Sequence, residues 1–233
     1  MKISYKSALV LSTSLLFAAA ATDAANAQSY TGIAVGASNL QSAANLSAPF
    51  SDEGYSRPFD DQLSSTGMVA GIYFGHDWQN MGMQNLVFGL EGDFTWLRAR
   101  STNIFNHVDS YYDGILNNSV DYLATIRGRA GVNLDDTLLY LTAGLAFGKV
   151  ESSYTVQEKN IRFIKNQTKL GPVLGAGVEH NISEHYSIRA EVLWARFDGE
   201  KTRDFGGYFS PNILANFKAT NVVVGRVGAA VKW

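Results

Sequence analysis

The stretch LVFGLEGDFTW, Leu86–Trp96, puts its residues on two faces with a period of two. Leu86, Phe88, Leu90, Phe94 and Trp96 share one side, and Gly89, Glu91, Asp93 and Thr95 share the other. Strict alternation over this length is the signature of a β-strand with two unlike environments. In a water-soluble barrel the apolar face would line the interior and the charged face would meet solvent. In a membrane-spanning barrel the assignment is reversed, with apolar residues against lipid and polar ones inside. The fold turns on which reading the rest of the chain supports.

The same period recurs in seven further segments: Tyr30–Ser38, Gly67–Trp78, Ser119–Val132, Leu138–Val150, Thr168–His180, Tyr186–Phe197 and the last residues, Val223–Trp233. Tight turns are expected at Gln79–Gln84, Asn133–Thr137 and Asn181–His185. Long polar excursions are expected at Asn39–Thr66, Leu97–Asn118, Glu151–Asn166 and Asp198–Phe217. This long–short rhythm, with no helical period of useful length, predicts an all-β, eight-stranded antiparallel up-and-down barrel with four long loops at one end.

Charge decides which face is inside. The glycine-bearing faces carry Glu91, Asp93, Arg127, Arg129, Glu179, Arg189, Glu191 and Arg226, a mixed set that can neutralise itself by pairing between neighbouring strands. Glycines among them leave room for long side chains in a narrow tube. Trp78, Trp96, Trp194 and Trp233 all lie on apolar faces at strand ends, two near short turns and two near long loops, as girdles at two lipid–water boundaries require. The charged face is therefore expected to be the lumen of a transmembrane β-barrel. An eight-stranded lumen is filled by side chains, so no passage for large solutes is expected.

The N-terminus reads as an export signal. Lys2 and Lys6 precede an apolar run from Ala8 to Ala21, and Ala25–Asn26–Ala27 has the small-x-small form of a cleavage site. Residues 1–27 are expected to be a cleaved signal peptide and residues 28–233 the outer-membrane domain. Cleavage removes Lys2, Lys6 and Asp23 and takes the net charge from −2 to −3, which gives no positive field for nucleic acid. The chain has no cysteine, so an exported domain must be stable without disulfides.

The chain ends RVGAAVKW, Arg226–Trp233, alternating up to the carboxylate, where a frayed tail would not. Closure of the last strand on the first accounts for this. The pattern of Arg226, Gly228, Val231 and Trp233 looks like the C-terminal signal read by the bacterial barrel-assembly machinery, with Trp233 in place of the commoner phenylalanine.

Four stretches, TIRGRAGV (Thr125–Val132), LLYLTAGLAFGKV (Leu138–Val150), GAGVEH (Gly175–His180) and SIRAEVLWARFDG (Ser187–Gly199), occur in an order that resembles the small porin-like outer-membrane proteins of alphaproteobacteria, in the wider OmpA-type barrel group. The resemblance implies a Gram-negative outer-membrane location and a structural, envelope-integrity and surface-interaction role. Two alternatives are a small porin channel and the capture of haemin or a host ligand by the loops, since some relatives bind haemin. His107, Tyr111 and Tyr112 in FNHVDSYYDG offer the axial-ligand types haemin needs. No other cofactor and no metal is expected.

HNISEH, His180–His185, holds hydrolase residue types but reads as turn chemistry, and no enzyme is expected. The basic stretch EKNIRFIKNQTK carries Lys159, Arg162 and Lys165 interleaved with apolar residues, and these are candidate contacts to lipopolysaccharide phosphates. Expected partners are thus outer-membrane lipid and lipopolysaccharide, the assembly machinery during biogenesis, and a haemin or host ligand. The barrel is expected to be a monomer.

Overall fold

A computed structural model describes residues 27–47, 59–79, 85–105, 114–156, 161–199, 201–202, 214–217 and 219–233. Eight antiparallel strands form the wall: β1 (Ala27–Ser47), β2 (Phe59–Gln79), β3 (Leu86–Phe105), β4 (Gly114–Leu134), β5 (Thr137–Val156), β6 (Ile161–Asn181), β7 (Tyr186–Phe197) and β10 (Thr220–Lys232). Each pairs with the next, and β10 pairs with β1 to close the ring. Two short strands, β8 (Lys201–Thr202) and β9 (Leu214–Phe217), lie between β7 and β10, and β9 pairs with the far end of β1.

The short turns hold residues suited to them. Asn85 and Asp135 adopt left-handed backbone angles, φ 70° and 55°, which Asn and Asp tolerate better than other non-glycine residues.

The hydrogen-bonded register fixes the tube. Followed around the wall, Tyr30 pairs with Gly75, then Glu91, Arg127, Gly144, Val173, Ala195 and Val222, and returns to β1 at Leu40. That ten-residue offset over eight strands sets a strand tilt of about 40°. The seam is continuous to the last residue, where Ser29 and Trp233 exchange backbone hydrogen bonds of 3.0 and 2.9 Å. Along the axis, Trp78 and Trp233 stand about 20–25 Å from Trp96 and Trp194. This is the height of the apolar band of an outer-membrane barrel.

The outward face within that band is apolar and open: Ile33, Ile72, Ile126, Leu141, Leu174, Val192 and Val227 are all exposed, Leu141 at 68%. The inward face holds Arg127 at 1% exposure. A water-soluble fold does not expose its aliphatic residues while burying its guanidinium groups.

The strands are longer than the alternating segments indicated. Six of the eight run 20 or 21 residues. The excursions Asn39–Thr66, Leu97–Asn118 and Glu151–Asn166 are therefore partly strand, since β1 continues to Ser47, β2 begins at Phe59, β3 and β4 pair out to Phe105 and Gly114, and β5 and β6 pair out to Val156 and Ile161. Polar, Ser- and Asn-rich extensions carry no apolar alternation because neither face meets lipid above the membrane. Their pairing is held by the ladder, which continues from the membrane-embedded part.

Inward glycines act as sockets. A methyl group built on Gly32 would come within 2.3 Å of the Tyr73 ring, one on Gly75 within 2.2 Å of the Tyr30 hydroxyl, and one on Gly177 within 2.5 Å of Tyr140. Gly32→Val is expected to displace Tyr73 and cost about 1–3 kcal/mol, the usual penalty for overpacking, read as a lower denaturant midpoint of the refolded barrel. An unchanged midpoint would show that the ring has other room.

Candidate functional site

The lumen has two storeys. The half nearer the short turns and the chain ends holds an ionic lattice. Five cations, Arg127, Arg129, Arg189, Arg226 and Lys232, face five carboxylates, Asp77, Glu91, Asp93, Glu179 and Glu191. All ten are buried. Equal numbers of each sign make this tolerable, because an unpaired charge in such a place would be prohibitively costly.

Some contacts join neighbouring strands, as the sequence suggested. Arg127 on β4 stands opposite Glu91 on β3 and bonds it, and Arg226 on β10 stands opposite Glu191 on β7, with Nε donating at 2.8 Å. Asp93 and Arg129 do not face one another. Asp93 is opposite Thr125, which bonds it, and Arg129 is opposite Gly89. Much of the lattice instead skips the neighbouring strand or crosses the bore. Arg127 reaches Glu191 on β7 at 2.9 Å, Arg226 reaches Asp93 on β3 at 3.0 Å, and Arg129 reaches both Asp77 on β2 at 2.8 Å and Glu179 on β6 at 3.2 Å. Strand-by-strand reading misses these links because they depend on curvature, which brings strands distant in the sheet to opposite sides of one narrow tube.

Glu91 is the hub. It bonds Arg127 and Arg189 and lies 3.7 Å from Arg129 and 3.9 Å from Arg226, so four guanidinium groups converge on one carboxylate. Tyr30 donates to it at 2.8 Å. Tyrosines complete the layer: Tyr140 donates to Glu191 at 3.2 Å, and the Arg189 guanidinium lies 3.3 Å from the centre of the Tyr73 ring. Asp77, Lys232 and these three tyrosines are not among the lumen residues expected from the sequence. Their signal was present, since each shares the inward parity of its strand.

The half nearer the long loops departs from the expected charged lumen. It is filled by an apolar cluster that includes Leu40, Val69, Leu97, Leu123, Val173, Leu193, Phe197, Val222 and Val224. Irregular register between Val120 and Leu123 on β4 turns both residues inward, which thickens the plug. The physical reason is supply: neither ionic partners nor lipid are needed at this level, and apolar packing seals the tube without desolvating charge. Inward residues switch from Glu191 to Leu193, and from Arg226 to Val224, within one strand repeat.

The residues expected to form the assembly signal lie on or just after β10, the strand that closes the ring on β1. Arg226 and Gly228 face inward, the latter near the Tyr73 ring, and Val231 and Trp233 face outward. HNISEH is organised as a turn. The imidazole of His180 faces outward, 3.0 Å from the Thr137 hydroxyl, and the Ser183 hydroxyl accepts from the His185 amide at 3.3 Å. His107, Tyr111, Tyr112 and Lys159 lie outside the described residues. Arg162 and Lys165 lie on β6, paired with Thr155 and Ser152 on β5. Their backbone positions stand roughly 15–30 Å beyond the level of Trp194.

The chain is similar to known outer-membrane proteins. The chain is 28% identical to the 31 kDa outer-membrane immunogenic protein of Brucella melitensis over 176 residues, 71% of this chain and 70% of that one. It is 26% identical to the 22 kDa outer membrane protein of Rhizobium leguminosarum, over 65% and 63% of the two chains. Among solved structures, OprG of Pseudomonas aeruginosa superposes with a TM-score of 0.53 at 10% identity, covering 89% of this chain and 97% of that one. The outer membrane protease OmpT of Escherichia coli gives 0.52 at 8% identity over 88% and 97%. At such identities the likeness is one of fold alone. The family model for the outer membrane protein beta-barrel domain matches residues 8–225, and with the inside-out polarity described above it establishes that the chain belongs to that family of bacterial outer-membrane β-barrels.

Proposed function

We propose that the protein is a sealed membrane anchor, neither channel nor enzyme, that stiffens the outer membrane and holds its long loops at the cell surface. The observation that carries this reading is the doubly closed bore: an ionic lattice crossing one half and an apolar plug filling the other. Hydrated solutes would have to displace both. The immunogenic names of the Brucella relatives fit a chain whose strands extend well beyond the membrane to present their tips outside.

Residues 1–27 serve as the signal for export, and the Arg226–Trp233 strand serves as the address for barrel assembly. Lys159, Arg162 and Lys165 contact lipopolysaccharide phosphates, a reading supported by the height of the Arg162 and Lys165 backbone on the β6 extension. In planar bilayers the purified barrel is expected to leave conductance at the bare-membrane level. A stable, voltage-insensitive channel of porin size would overturn the sealed-anchor reading.

A further inference from the structure

The ladder between β6 and β7 stops early. Its last pair is Val173 with Ala195, although β6 runs on to Ile161 and β7 to Phe197. Pro172 occupies the next position and has no N–H to donate. The two strands still touch there, because a methyl group built on Gly171 would lie 1.9 Å from the Arg196 carbonyl oxygen. The backbone ladder therefore ends at this point, and beyond it the wall is held by that contact and by the Lys169 ammonium, which donates to the Asp198 carbonyl oxygen. Trp194 lies beside the break, so the break stands at the level where outer-leaflet acyl chains begin.

What lies on each side of the break is chemically distinct. Inside are Val173, Leu193, Ala195 and Phe197 of the apolar plug. The Phe197 ring covers two glycines, Gly171 beside it and Gly148 on β5, where an added methyl would approach ring atoms at 3.2 and 2.8 Å. Swinging that ring aside would expose a glycine-floored apolar space. Outside, Leu170 and Leu174 are exposed to lipid. At the rim, Arg196 faces outward with no ion-pair partner among the described residues, and Lys169 reaches across to the Asp198 carbonyl oxygen at 2.9 Å.

We propose that this break is a side entrance through which one acyl chain of an anionic amphiphile passes from the outer leaflet into the apolar upper lumen, with Phe197 as a movable stopper and Arg196 and Lys169 holding the head group. The ionic lattice below forms the floor, so the site requires no channel. Its failure and that of the sealed-anchor reading are separable, because conductance reports only the second.

The test uses the whole barrel in phosphatidylcholine vesicles with decanoate carrying a terminal diazirine, photolysed and mapped by peptide mass spectrometry. Label is expected in Val173, Leu193 and Ala195. Phe197→Ala, checked for folding by heat-dependent gel mobility, should raise that label about threefold by removing the stopper, and Phe197→Leu should stay near wild type. Arg196→Glu should lower it about fivefold for decanoate and leave the neutral decanol analogue unchanged. Competition by excess phosphatidate would assign the chain to a membrane lipid, and competition by free decanoate alone to a free fatty acid. Label confined in every variant to the outward residues Leu170, Leu174 and Trp194 would mean annular lipid only and would overturn the proposal.

Discussion

Glu91→Ala is expected to destabilise the barrel by about 3–5 kcal/mol, the largest effect of any single inward substitution, because it leaves buried guanidinium groups without their common counterion. Arg127, Arg189, Arg129 and Arg226 all lie within 4 Å of that carboxylate, and its removal turns a balanced lattice into one with an excess positive charge. The measurement is the midpoint of urea unfolding in lipid vesicles, with unchanged slope showing that the same surface is exposed. Glu91→Gln keeps the shape and the acceptor oxygen and removes only the charge, so it should recover part of the packing and little of the electrostatics. If both variants unfold at the wild-type midpoint, water in the lumen screens the lattice and it contributes nothing to stability.

Val192→Arg is the corresponding outward substitution. Val192 is exposed inside the apolar band, two residues along β7 from Trp194 and one from the buried Glu191. Arginine at the bilayer midplane of a barrel costs about 2–4 kcal/mol, and the cost falls toward the interfaces. Met68, on the outward face of β2 at the level of the outer tryptophans, should therefore tolerate arginine with a loss of about 0–1 kcal/mol. The contrast matters more than either value. Equal effects at the two positions would mean that depth in a bilayer is not what the outward face experiences.

Much of this architecture was legible in alternation alone. Parity placed Glu91, Arg127, Glu179, Arg189, Glu191 and Arg226 inside and all four tryptophans outside, since a period of two leaves no choice once one residue is assigned. Two features were not legible. Partners across the bore, such as Arg226 with Asp93, depend on the tilt and stagger of the closed tube, which no single strand encodes. The length of β1 to β6 beyond the membrane was hidden because their outer ends lose the strict apolar–polar alternation that identifies a strand. The apolar plug lay between these cases. Leu193, Phe197, Val222 and Val224 sit at inward parity, but apolar residues on both faces near Trp194 and Val223 blurred the alternation there.

The inside-out polarity can be measured position by position on β5, because the chain has no cysteine to interfere with single-cysteine spin labelling. In lipid vesicles, labels at Leu139, Leu141, Ala143 and Leu145 should collide freely with dissolved oxygen and be shielded from a water-soluble nickel chelate. Labels at Tyr140, Thr142 and Ala146 should be immobile and shielded from both. Odd positions immobile in a dry interior, with even positions open to the chelate, would contradict the lipid-facing assignment and with it the barrel's orientation.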